Sequence, residues 1–216
     1  LRDPAAQSAA RMNEATARAW IRAHFGVSRE TTLAALAEIV TREAANQNLV
    51  SAATLPEIWR RHIVDSAQLV RCLGKSTVGT WVDIGSGAGF PGLVIAAITE
   101  HRVILVEPRR RRADFLSLAA AQLSLGDRVT VRACRVEQVE GVADVISARA
   151  VAPLPKLLAV AGHLSTANTR WLLPKGKSAR EEVAAARRSW HGVFHVEQSL
   201  TDPESLIVLA EKVARR

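Results

Sequence analysis

The chain has 216 residues, with 29 basic and 21 acidic side chains and a formal net charge of +8. Its 48% apolar and 23% charged residues are ordinary globular usage, which excludes a disordered tail and a collagen-like fibre. The longest apolar stretch, around Leu93 to Ile98, falls far short of the roughly 20 residues a membrane span needs.

Residues 1–25 read as a polar-faced helix, not as a basic stub followed by an apolar run, so no secretory signal is expected. Leu1 stands where an initiator methionine would, and some residues are expected to precede it. Residues 1–75 carry helical periodicity throughout and are expected to form an N-terminal helical extension. Ala10 to His24, Glu30 to Asn46 and Leu55 to Leu73 each fit a helix, with Gly26-Val27-Ser28 and Asn46 to Ala53 as connections. Thr54-x-x-Glu57 predicts a capping box, and Pro56 fits the first turn that follows it. His62, Asp65 and Ser66 share one face of that helix at i, i+3 and i+4. No nucleophile elbow accompanies them, so they predict hydrogen bonds that fix the helix to the rest of the core.

From Gly79 the pattern changes. Strand-like runs at Trp81–Ile84, Val103–Val106, Val129–Val131, Asp144–Ser147 and Arg170–Leu173 alternate with helical stretches at Gly92–Thr99, Arg110–Ser124, Leu154–Ala161 and Ala179–Trp190. Two further runs, Val193–Gln198 and Ser205–Glu211, follow with only a loop between them. The alternation predicts an α/β domain over residues 76–216: seven strands, mostly parallel, with helices on both faces and an antiparallel pair at the end.

The turn after the first strand, Asp83-Ile84-Gly85-Ser86-Gly87-Ala88-Gly89-Phe90-Pro91-Gly92, lets the backbone bend sharply and approach a ligand closely. Two cofactors fit it. Gly87-x-Gly89-x-x-Gly92, with Glu107 twenty residues after Gly87, has the form of a dinucleotide fingerprint. Asp83-x-Gly85-x-Gly87-x-Gly89 has the form of the loop in S-adenosylmethionine-dependent methyltransferases. The strand ends at Ile84, so the dinucleotide register would start two residues late. Asp83, expected to face the sulfonium end of the cofactor, has a task only in the second reading. Glu107 ends the second strand, where a carboxylate can accept hydrogen bonds from both ribose hydroxyls in either case.

The basic excess is spread evenly, +3 over residues 1–75 and +5 over 76–216, so it forms no tail. It suits a polyanionic partner, and it also suits a simple compositional bias toward arginine. Arg109 to Arg112 open a helix, where cations oppose the macrodipole, which suggests contact with RNA phosphates. Cys72 and Cys134 form no metal-ligand or disulfide spacing; neither a metal nor a disulfide is expected, and a reducing, cytoplasmic compartment fits. Cys134 is expected as a buried core thiol, and the five tryptophans mostly as packing residues.

Several strings in order, from about residue 30 onward, resemble the RsmG (GidB) methyltransferases. They are Asn48-Leu49-Val50 with Arg61-His62-Ile63-Val64-Asp65-Ser66, the loop Asp83 to Gly92, Cys134-Arg135-Val136-Glu137, Ser147-Ala148-Arg149-Ala150 and Pro174-Lys175-Gly176. The spacing between Ser147 and Arg149 is one residue longer than is usual there. The resemblance implies a class I, Rossmann-like methyltransferase that uses S-adenosylmethionine to methylate N7 of one guanine in 16S ribosomal RNA of the small subunit; a monomer is expected, although the sequence leaves a dimer open. It implies that Gly85 and Phe90 line the cofactor pocket, that Val136 and Glu137 lie against the adenine, and that Arg149 faces both cofactor and substrate as the catalytic residue. Gly87, Gly89, Asp83 and Glu107 complete the expected cofactor set; Arg135, Lys175, Arg109 and Arg110 are the expected RNA contacts. Guanine N7 has a free lone pair and no proton, so no general base is expected, and the chain lacks the N/D-P-P-Y/F/W string that serves exocyclic amines. The competing functions are a nicotinamide-dependent oxidoreductase and a non-catalytic RNA-binding assembly factor.

Overall fold

Short runs rich in Val, Ile, Leu and Trp pair into one sheet: β1 (Thr80–Ile84), β2 (Arg102–Val106), β3 (Val129–Arg132), β4 (Val145–Ala148), β5 (Arg170–Lys175), β6 (Trp190–Gln198) and β7 (Leu206–Arg215). The computed structural model describes residues 12–74 and 78–216. The strand order is β3-β2-β1-β4-β5-β7-β6, with the first five parallel and β7 antiparallel to both its neighbours. Side chains alternate between two cores, as the two-residue period of a strand requires. Trp81, Val103, Leu105, Val145 and Leu172 face one; Val82, Ile84, Val106, Ile146, Trp171 and Leu173 face the other.

The first core is shared by α1 (Glu14–Phe25), α2 (Val27–Glu43), α3 (Gly92–Ile98) and α4 (Arg110–Gln122); α5 (Leu154–Ala161) and α6 (Ala179–Ala186) cover the second. The sequence expectation of a helix from Ala10 and of a boundary at residues 75/76 falls partly outside the described residues. Between α1 and α2 the expected three-residue connection shrinks to Gly26, whose φ of 87° turns the chain within one residue.

The helix expected over Leu55–Leu73 is a composite. It runs as 3₁₀ over Leu55–Glu57, π over Trp59–Val64, α over Asp65–Ala67 and 3₁₀ again over Gln68–Leu73. The expected capping box is absent. The Thr54 hydroxyl instead donates to the Ser51 carbonyl (3.0 Å) and meets His62 Nε2 (2.9 Å). The Trp59 and Arg60 amides are taken by the Glu14 carboxylate of α1, each at 2.9 Å. Near the end of the chain, the helix expected to reach Trp190 stops at Ala186, because Trp190 pairs with Arg215 and begins β6. Among the described residues no helix is long and apolar enough to cross a membrane.

Candidate active site

The strand order reverses between β1 and β4, and open α/β sheets bind ligands at the carboxyl ends of the strands beside such a point. The glycine loop enters there. Gly85 has φ 68°, and its amide and that of Ser86 donate to the Val106 carbonyl at 2.8 and 3.1 Å. A Cβ on Gly85 would come within 2.6 Å of Val151. Gly87 donates its amide to Glu107 Oε2 (3.0 Å), while Glu107 Oε1 accepts the Arg109 amide (2.9 Å). Glu107 is thus a buried carboxylate, 4% exposed and fixed by two backbone donors rather than paired with the neighbouring arginines.

Asp83, expected to face the sulfonium end of a cofactor, lines neither of the two cavities described below. It is fully buried, with Oδ1 accepting from Ser147 Oγ (2.7 Å) and Oδ2 from the Gly92 amide (3.1 Å). The Ser147 hydroxyl in turn accepts from Trp81 Nε1 (2.8 Å). Burial raises the Asp83 pKa to about 6, against the opposing effect of its bonds to Ser147, Ser86 and Gly92. The carboxylate therefore clamps the loop onto the start of α3. Gly89 packs against Leu93 and Gly92 against Leu105, so the last two glycines of the dinucleotide register turn inward and only Gly85 reaches a cavity.

Two cavities share the segment Ala150–Ala152 as a common wall. The smaller, about 420 Å³, is lined by Gly85, Glu107, Val136 and Glu137, with Arg109, Arg112, Arg135 and Lys156 around it. The larger, about 680 Å³, holds Arg149 and Lys175 together with Arg61, His62, Asp65 and Asp202. Of the residues expected from sequence, Gly85, Glu107, Arg109, Arg135, Val136 and Glu137 therefore meet at one cavity, and Arg149 and Lys175 at the other. Phe90 lines neither. It is buried beneath the His62 ring (centroids 5.1 Å apart) and the Arg149 guanidinium (5.5 Å).

Arg149 follows β4, yet its polar partners come from the composite helix. Nη1 donates to the Arg61 carbonyl (3.1 Å) and lies 3.4 Å from Asp65 Oδ2; Nη2 lies 2.9 Å from His62 Nδ1. A guanidinium only donates, so Nδ1 is the acceptor and the ring proton sits on Nε2, toward Thr54. Burial, reinforced by the Arg149 and Arg61 charges, pushes the His62 pKa down to about 3, so the imidazole is neutral. The bonds expected from His62 and Asp65 to the rest of the core thus reach Arg149. Asp65 Oδ1 also accepts from Gln68 (3.0 Å) and Thr201 (3.1 Å), and Arg60 donates to the Thr201 carbonyl (2.8 Å), which docks the turn between β6 and β7 on the same helix. No local pattern marks Thr201 or Asp202, because they reach the site only through tertiary packing.

The arginine run separates in space. Arg110 is 83% exposed, pairs with Asp114 and touches neither cavity. Arg111 and Arg112 donate to the carbonyls of Asn46 and Asn48, both at 2.8 Å, which accounts for cations at the start of α4. Lys175 is also engaged: Nζ donates to the Ala152 carbonyl (2.6 Å) and pairs with Glu182 (2.9 Å), so it braces the dividing segment. Burial would raise the Glu182 pKa, but Lys175, the Leu154 amide and Ser178 together hold it below its usual value. Cys134 is half-buried beyond the end of β3 rather than within the core.

A family model described as rRNA small subunit methyltransferase G (GidB) matches residues 29–204. A protein named ribosomal RNA small subunit methyltransferase G from Rhizorhabdus wittichii is 49% identical over 207 residues, 95% of each chain. Its namesakes from Novosphingobium aromaticivorans and Zymomonas mobilis are 48% and 43% identical, covering 94% and 90% of this chain and 90% and 91% of theirs. Among solved structures, a putative S-adenosyl-L-methionine-dependent methyltransferase from Methanococcus maripaludis superposes with a TM-score of 0.58 at 12% identity, covering 83% of this chain and 93% of that one. A variant of MtNAS in complex with S-adenosylmethionine superposes at 0.57 and 17% identity, covering 93% and 84%. Both share the fold of this chain.

Proposed function

The chain belongs to the rRNA small subunit methyltransferase G (GidB) family, and from that premise we propose that it transfers a methyl group from S-adenosylmethionine to N7 of a guanine in 16S ribosomal RNA. The observation that carries the reading is the pair of cavities meeting at Ala150–Ala152, one lined by Gly85, Glu107, Val136 and Glu137 and the other holding Arg149. Gly85 brings bare backbone to the smaller cavity at a point where a side chain would collide with Val151, and Glu107 keeps lone pairs beside that cavity after accepting its two amides, which suits ribose hydroxyls. Val136 supplies apolar surface for the adenine and Glu137 an acceptor at its rim. When bound, S-adenosylmethionine supplies an electrophilic methyl group.

The protein's part is to hold the acceptor in line with that group, since positioning accounts for much of the rate of such a transfer. Around the larger cavity each acid or imidazole is committed: His62 and Asp65 to Arg149, Asp202 to Arg61, Glu182 to Lys175. None is poised as a general base, and guanine N7, which carries no proton, requires none. Arg149 retains two N–H groups, on Nε and Nη2, without a protein partner among the described residues. They suit guanine O6 or a phosphate oxygen. The exposed Arg109 and Arg135 beside the cofactor cavity are placed for RNA phosphates.

The test is transfer of labelled methyl to small ribosomal subunits lacking this modification, with the product mapped by cleavage at 7-methylguanine. Label at one guanine is expected, and Arg149→Ala is expected to lower kcat about 100-fold or more. Full transfer by that variant would remove Arg149 from the site; label on another atom or base would overturn the N7 assignment.

A further inference from the structure

Arg149 is the only group proposed to touch the acceptor base, and nothing in its own strand holds it. Three flat groups are layered at this point: the Phe90 ring below, with the His62 imidazole and the Arg149 guanidinium above it, joined by the 2.9 Å contact between Nδ1 and Nη2. Phe90 belongs to the glycine loop, Arg149 follows β4, and His62 belongs to the π-helical turn Trp59–Val64. The same turn presents the Arg61 carbonyl to Nη1, and Asp65 follows immediately.

We infer that His62 is a positioning residue for methyl transfer, its Nδ1 acting as a fixed acceptor that sets the plane of the Arg149 guanidinium. The N-terminal helical segment thereby completes the active site and does more than cover the sheet. The inference rests on the function proposed above and adds a residue that acts through Arg149.

The chemistry of the contact selects histidine for this place. The acceptor has to be neutral, because Arg61 and Arg149 surround it with positive charge and a protonated ring would lose the lone pair that Arg149 uses. It has to be flat, to lie on Phe90 at an interplanar angle of 24°. It also has to be locked, and the Nε2 contact with Thr54 fixes the tautomer that leaves Nδ1 free to accept. Asp65 adds the counter-charge, shared with the β6–β7 turn through Thr201.

Asparagine and glutamine separate the two ring nitrogens. The asparagine amide sits close to where Nδ1 was, and the glutamine amide close to where Nε2 was. Wild-type chain is first shown to methylate undermodified small subunits; failure at that step would refute the proposed function and leave nothing for His62 to position. With wild-type activity present, His62→Asn is expected to keep kcat within a few-fold, and His62→Gln to lose about 10- to 100-fold in kcat with unchanged S-adenosylmethionine affinity, as a misaligned contact group does. In an Arg149→Ala background, His62→Gln is expected to change kcat by less than about two-fold, because a residue acting through a partner has no further effect once the partner is gone. Equal kcat for the asparagine and glutamine variants, or an undiminished loss in the Arg149→Ala background, would overturn the inference.

Discussion

Asp83 and Gly92 form the contact on which the glycine loop depends, and each can be perturbed separately. Burial raises the Asp83 pKa to about 6 from 3.8, so the folded chain binds that proton more tightly than the unfolded chain. Its contribution to stability is therefore greatest below pH 3.8 and declines as pH rises through about 6. Asp83→Asn provides a pH-independent reference that shares every other titrating group. Urea unfolding of both proteins from pH 7 to pH 4 is expected to show wild type gaining stability relative to the variant, and a flat difference would contradict the raised pKa. Gly92 has a different constraint: a Cβ there would sit 2.8 Å from Asp83 Oδ2 and collide with Leu105. Gly92→Ala is expected to lower unfolding free energy by about 1–3 kcal/mol, the usual range for overpacking, as read from the urea midpoint at constant slope.

At the level of elements, the composite helix is held at its start by another helix rather than by its own cap. The Thr54–Glu57 capping box is absent, and Glu14 accepts the Trp59 and Arg60 amides further along. Glu14→Ala leaves both without that acceptor and is expected to destabilise the fold by about 1–2 kcal/mol, with Glu14→Gln recovering part of the loss; chemical denaturation measures both. The strands and the helices of the sheet domain were legible because each depends on a period within a few neighbours, and the cofactor loop because glycine spacing is a local requirement of the backbone. The composite helix was not. Its apolar spacing reads as one regular helix, and the changes in width arise where His62, Arg61 and Asp65 turn toward Arg149, 84 to 88 positions later. The protein partners of Lys175 and Asp83 were not legible, since nothing near them in sequence announces Glu182 or Ser147. Glu107, Val136 and Arg149 line the two cavities, and their motifs could be read because they end strands or follow them closely.

On the scale of the whole molecule, one core runs from α1 and α2 through the composite helix to a face of the sheet, with Ile21, Leu36, Ile63, Leu93 and Leu105 all within it. Arg60 and Arg61 donate to the β6–β7 turn and Gln68 Oε1 accepts the Leu200 amide from it, which ties that assembly to the turn. Such interlocking is expected to give a single cooperative transition. Tryptophan fluorescence, which senses Trp59 in the helical segment as well as Trp81 and Trp171 in the sheet, is expected to follow the same urea curve as far-UV circular dichroism. Separate midpoints would show that the helices and the sheet unfold independently.

The place of β7 has a consequence for how the molecule is made. This strand, the last in the sequence, lies between β5 and β6 and pairs with both. While the nascent chain emerges, β5 and β6 have no ladder to join them, and the turn that carries Thr201 and Asp202 to the composite helix has only one of its two flanking strands. The larger cavity therefore gains its final wall only after residues 206–215 have left the exit tunnel. Vectorial synthesis is thus expected to complete the cavity beside Glu107 before the one that holds Arg149, so a chain stalled or cut before β7 would have the first without the second.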